Sequence, residues 1–141
     1  MTDGDDVLKL LAQVDIFRAF DERDLRRVAG MAKEIDFGPG VAITQEGEPG
    51  GRFYALLAGE ADVVVDGRTL NTLRAGDSFG EISLIDGRPR TATVLARTPV
   101  RTLSLASWNF RPLLLEHPAM AEAVLFELCD RLRSVQDSHL H

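Results

Sequence analysis

Apolar positions change their spacing twice along the chain, and each change marks a change of secondary structure. In residues 4–33 they recur at helical intervals. Leu8, Leu11 and Val14 lead into Ile16, Phe17 and Phe20, which read as core anchors around a bend. Asp21 stands where an N-cap carboxylate would accept the first free amides of a helix. Beyond it, Leu25, Val28, Ala29 and Ala32 keep the i, i+3, i+4, i+7 spacing of one helix face. From about Glu34 to Leu105 the apolar runs become short and rich in Val, Ile, Leu and Phe. Glycine punctuates them at Gly38-Pro39-Gly40, Gly47, Pro49-Gly50-Gly51, Gly59, Asp66-Gly67, Gly76, Gly80 and Gly87. Many short strands with regular turn signals predict a β-sandwich or barrel. Asp66-Gly67, between Val63-Val64-Val65 and Leu70, predicts a two-residue hairpin turn with positive φ at both positions.

Helical spacing then returns. Ser107 or Asn109 can cap a short helix that ends near Glu116. A start at Ser107 puts Pro112 inside the helix, where it removes a donor and clashes; a start at Asn109 keeps it in the tolerated first turn. Pro118 fits the first position of a longer helix. Ala121, Val124, Leu125, Leu128, Leu132 and Val135 form one apolar stripe along it. That stripe either packs on the barrel or pairs with a second copy of the chain, and the reading leans to a homodimer. The pattern predicts a mainly β, α+β fold: a double-stranded β-helix or jelly-roll barrel over about 34–105. A helical lead-in over about 4–33 and two C-terminal helices over about 107–137 flank it. No repeat, linker or low-complexity stretch divides residues 1–141, which read as a single domain.

Composition narrows the chemistry. In 141 residues, 45% hydrophobic and 27% charged is a balance that favours a packed core over disorder. No apolar run approaches the ~18 residues of a membrane span. Met1–Asp6 carries three aspartates where a secretory signal would be positive. The expected location is therefore cytoplasmic, with no membrane partner. The single cysteine, Cys129, excludes an internal disulfide and any Cys-based metal site, and is expected to pack as a small apolar residue. The three histidines, His117, His139 and His141, all fall outside the β region. A metal-dependent barrel enzyme or a haem sensor would lack its ligands, and no Ser/His/Asp or Cys/His constellation is present. The expectation is a non-enzyme with no metal and no cofactor.

Sixteen basic against 22 acidic residues give a net charge of −6, so no overall positive field attracts a long polyanion. A helix-turn-helix would have to fit in the roughly six residues after Val135. Direct DNA binding is not expected. Only Lys9 and Lys33 are lysines, however, and the remaining 14 of the 16 basic residues are arginines. Arginine suits a planar two-point grip on a small oxyanion.

Residues 76–94 read Gly-Asp-Ser-Phe-Gly-Glu-Ile-Ser-Leu-Ile-Asp-Gly-Arg-Pro-Arg-Thr-Ala-Thr-Val. Gly80 allows a ligand close to the backbone. Residues 81–85 can form one helical turn with free amides at its start. Arg90 follows a proline-stiffened turn and can reach the same place, with the amides of Thr91 and Ala92 beside it. An acid, several amides and an arginine within ten residues point to a ligand carrying both a hydroxyl, for Glu81, and a phosphate, for Arg90.

This run resembles the phosphate-binding cassette of cyclic nucleotide-binding domains, found in bacterial catabolite activators, cAMP- and cGMP-dependent kinases and nucleotide-gated channels. The family's spaced glycines have counterparts in Phe37-Gly38-Pro39-Gly40, Gln45-Glu46-Gly47-Glu48, Phe53-Tyr54-Ala55-Leu56-Leu57-Ala58-Gly59 and Leu73-Arg74-Ala75-Gly76-Asp77. The flanking helices match the family's N-terminal helices and its C-terminal hinge and lid helices. The resemblance implies a β-roll that binds cAMP or cGMP between the cassette and the barrel wall. Arg90 would grip the exocyclic phosphate and Glu81 the ribose 2′-OH. Gly80, Ser83, Thr91 and Ala92 would add backbone or hydroxyl contacts, with Phe79 and Ile82 in the same cassette. Val63 and Leu70 align with positions that wall the purine. Arg131 and Val135 of the lid helix occupy places from which some relatives touch the base, although Arg131 reads first as a solvated or salt-bridged helix residue.

The Thr91 hydroxyl resembles that of cGMP-responsive relatives, whereas the bacterial relatives favour cAMP, the ligand expected here. The implied function is a non-catalytic sensor whose ligand favours one docking of the last helix, passing the signal to an effector protein of unknown identity. The alternatives are a barrel that has lost its ligand and serves as an interaction module, and a regulatory fragment of a larger transcription regulator.

Overall fold

The short apolar runs between glycines form strands, and their side chains meet in one interior. The computed structural model describes residues 4–88 and 92–140, apart from the side chains of 138–140. It divides into two compact units: residues 31–111, and residues up to 30 together with those from 112 onward.

In the first unit the strands are β1 (Lys33–Phe37), β2 (Ala42–Thr44), β3 (Arg52–Ala58), β4 (Ala61–Val65), β5 (Arg68–Leu73), β6 (Ser78–Phe79), β7 (Thr93–Ala96) and β8 (Val100–Ala106). They form two four-stranded antiparallel sheets, ordered β1-β8-β3-β6 and β2-β7-β4-β5. This is the expected mainly β architecture with flanking helices. Ile43, Tyr54, Leu56, Ala61, Leu73, Val94, Ala96 and Val100 are buried together, with Ile35, Phe37, Val63 and Phe79 packed against them. Each large apolar side chain so placed contributes about 1.5–3 kcal/mol relative to exposure.

The β4–β5 hairpin follows its sequence signal. Asp66 and Gly67 have φ of 51° and 76°, and Val65 pairs with Arg68 across the turn. Two steps further, Val63 faces Asn71 while Val64 faces Thr69. Leu70 is the extra residue of this bulge, and it is 64% exposed.

Helix α3 (Glu81–Asp86) lies between β6 and β7, and α4 (Ser107–Glu116) follows β8. Here the structure takes the longer of the two starts open to α4, with Pro112 inside the helix. Tertiary contacts outweigh the proline's penalty at that end. The Ser107 amide donates to the Gly51 carbonyl at 2.6 Å, and the Arg52 guanidinium stacks over the Trp108 ring at 4.9 Å.

The second unit holds α1 (Gly4–Ala12), a 3-10 turn at Asp15–Phe17, α2 (Glu22–Met31) and α5 (Pro118–Leu140). Leu11, Val14, Ile16, Phe17, Phe20, Leu25 and Val28 are buried, and the Phe17 and Phe20 rings stack at 5.4 Å. Asp21 caps α2 as expected, accepting from the Asp24 amide at 2.8 Å. The helix ends at Met31 rather than near residue 33, because Lys33 already pairs with Ser104 in the sheet.

The α5 stripe is buried only in part. Met120 and Val124 are enclosed, whereas Leu125, Leu132 and Val135 are 61%, 59% and 49% exposed. Cys129 is exposed too, contrary to the expectation that it would pack as a small apolar residue. It sits two positions before Arg131, on a stretch of α5 where Glu127, Leu128 and Arg131 are only half-buried.

Candidate functional site

The cassette is built around two left-handed glycines. Gly80 (φ 84°) precedes α3 and Gly87 (φ 70°) follows it, so the chain turns sharply into and out of a six-residue helix. Residues with a Cβ resist this conformation. Leu84 is fully buried and anchors the helix. Upstream, Phe79 is held by its neighbour across the sheet: it pairs with Tyr54 and their rings stack at 5.3 Å. Phe37 meets the Tyr54 ring edge-on at 6.0 Å.

Opposite the cassette lies a row of β-branched side chains. Thr44 pairs with Val94, and Val94 pairs with Val63, so the three stand side by side across β2, β7 and β4. Directly paired residues project from the same face of a sheet. The cassette and this row line one open cavity of about 470 Å³, to which the cassette contributes Phe79, Gly80, Glu81, Ile82 and Ser83 and the sheet Thr44, Val63 and Val94. Asp86, Arg88 and Ala92 complete its wall. The volume falls within the ~300–1,000 Å³ of small-molecule sites. Its lining joins an apolar floor to two carboxylates, Glu81 and Asp86, and the Arg88 guanidinium, a combination suited to a ligand with a flat apolar part and a polar, charged part.

The structure thus brings together Phe79, Gly80, Glu81, Ile82, Ser83, Ala92 and Val63 around one cavity. Glu81 is half-buried as the first residue of α3. Leu70 is exposed at the bulge and is not part of the cavity lining. Arg131 lies in the other unit, where its guanidinium meets the Asp15 carboxylate at 3.3 Å; Val135 lies further along the same helix. Arg90 and Thr91 fall outside the described residues.

Sequence reasoning did not single out Thr44, Asp86, Arg88 or Val94. Val94 was within reach, since strand alternation places it on the same face as Ala92. Thr44 becomes visible only through the β2–β7 register. Its hydroxyl is buried without a hydrogen-bond partner among the described residues. Arg88 adds a second cation to the cassette, its amide tied to the Asp86 carboxylate at 2.9 Å.

The two-sheet roll with a glycine-hinged cassette over its wall defines a ligand-binding β-roll. The cyclic nucleotide-binding domain model matches residues 34–117, and the chain belongs to that family. It is 30% identical over 135 residues to a CRP-like cAMP-activated global transcriptional regulator of Mycobacterium tuberculosis, covering 92% of this chain and 60% of the relative. Among solved structures it resembles the N-terminal domain of a transcriptional regulator from Streptomyces coelicolor (TM-score 0.82, 32% identity, 91% of this chain and 95% of that one). It also resembles the regulatory domain of Toxoplasma gondii PKA, solved with cAMP (TM-score 0.71, 27% identity, 79% of this chain and 46% of that one). The chain therefore spans about three-fifths of the length of the curated regulator it matches. Among the described residues no helix is long and apolar enough to cross a membrane.

Proposed function

We propose that this chain is a regulatory module that binds cAMP in the cavity under α3, with cGMP as the competing nucleotide. The observation that carries the reading is that Gly80 and Glu81 share one cavity with the Thr44–Val94–Val63 row. In that pose the base rests on the valines and the sugar hydroxyl faces Glu81. Arg90, at the end of the cassette sequence, takes the phosphate, with the amides of Thr91 and Ala92. Relatives named as a cAMP-activated regulator and as a kinase regulatory domain solved with cAMP support the choice of ligand. No catalytic step is assigned: the ligand selects one arrangement of the C-terminal helix, and an effector reads that arrangement. The exposed Leu125, Leu132 and Val135 of α5 favour a second copy of the chain as a partner.

Thermal melting with each nucleotide, followed by titration calorimetry, tests the reading. At a hundredfold excess over Kd the ligand adds about 2.7 kcal/mol of stability, a shift of several degrees for a chain of this size. A charge-assisted contact contributes about 1.5–3 kcal/mol, so Arg90→Ala weakens binding roughly tenfold to more than a hundredfold, and Glu81→Ala somewhat less. A melt unmoved by either nucleotide would instead identify the barrel as a ligand-free interaction module. Full affinity in Arg90→Ala would reject the phosphate assignment.

A further inference from the structure

We propose that Ser83 is a positioning residue: its hydroxyl pins the cassette to the backbone of Gly51 instead of touching the bound nucleotide. The inference rests on the cyclic-nucleotide reading above.

The two hydrogen bonds of the Ser83 hydroxyl carry it. Ser83 Oγ accepts from the Gly51 amide at 2.6 Å and donates to the Arg88 carbonyl at 3.1 Å. A hydroxyl has one proton to donate, and this one is committed to Arg88. Phosphate oxygens at neutral pH are acceptors, so while the Arg88 bond stands the Ser83 hydroxyl has nothing to offer them. Its two bonds instead tie the first turn of α3 to the far end of the cassette, two residues before Arg90, and to the loop between β2 and β3.

The seat of the pin is built to receive it. A Cβ at Gly50 would overlap both the Arg88 carbonyl oxygen and Ser83 Oγ, so the two loops meet with no space for a side chain. Gly51 has φ +104°, and a Cβ there would stand 3.0 Å from Ser107 Oγ. Its carbonyl accepts from the Ser107 amide at 2.6 Å. Gly51, whose amide holds the cassette, is thus itself held through its carbonyl by the first residue of α4. Glycine at 50 and 51 together with a hydroxyl at 83 makes a joint spanning 32 residues of sequence.

The test uses Ser83→Ala and Ser83→Thr in the full chain, calorimetry with cAMP and with cGMP, and amide hydrogen exchange at Gly51. A neutral hydrogen bond has a modest net value, so Ser83→Ala is expected to weaken both nucleotides by the same factor, about threefold to tenfold, leaving their ratio unchanged. Exchange at Gly51 accelerates in the same variant, and Ser83→Thr restores both readouts. Unchanged affinity, or unchanged exchange at Gly51, overturns the proposal. So does a loss confined to one nucleotide, which would mark a direct contact with the base. If the unmodified chain binds neither nucleotide, the ligand reading fails, and the Gly51 exchange rate in Ser83→Ala still decides whether the pin exists.

Discussion

Gly50 shows how a residue without a side chain sets a site. Its φ lies outside the left-handed region, so backbone conformation does not require glycine there; space does. Gly50→Ala forces the Arg88 carbonyl and Ser83 Oγ to move, and overpacking of this kind costs about 1–3 kcal/mol. We expect a lower urea midpoint with an unchanged m-value, and a stability equal to the parent would show that the loops part freely. In sequence, Gly50 is one of many turn glycines and carries no mark of this role. Gly80 and Glu81 are different, because a motif of adjacent residues displays their chemistry directly. Leu70 shows the opposite limit: alignment puts it beside Val63, but a one-residue bulge sets it apart from the cavity lining. Ser83 was legible as a cassette residue, while the partners of its hydroxyl were not.

Elements stabilised from within matched their signals. The Asp66-Gly67 hairpin and the Asp21 cap each depend on a few neighbouring residues, so local chemistry sufficed. Helix α4 departed from its local preference because Ser107 and Trp108 are held by Gly51 and Arg52, more than 50 residues away in sequence. Pro112 remains a strained choice inside it, since its missing amide leaves the Trp108 carbonyl without the usual partner. Pro112→Ala restores that bond, and the greater freedom of the unfolded chain offsets part of the gain. We expect a net stabilisation of about 1–2 kcal/mol, read as a higher melting temperature. A lower melting temperature would mean that the proline itself contributes essential packing.

At the scale of the chain, the fold supplies a roll that holds a cavity and a long helix that leaves apolar side chains in water. Leu125, Phe126, Leu132 and Val135 along α5 are each about half exposed or more. An association driven by this face predicts concentration-dependent dimers in sedimentation, abolished by Leu132→Glu without loss of the folded melt. A chain that stays monomeric up to high concentration would remove the dimer from the proposed function. Helical and strand spacing, the hairpin, the Asp21 cap and the cassette motif could all be read from the linear order of residues, because each is set by contacts within a few positions. Alternation tells which face a side chain takes but not which strand will lie opposite. The Thr44–Val94–Val63 row and the seat of Ser83 on Gly51 therefore arose only once distant segments closed on one another. Their long-range register and close backbone approach follow from how the roll packs as a body.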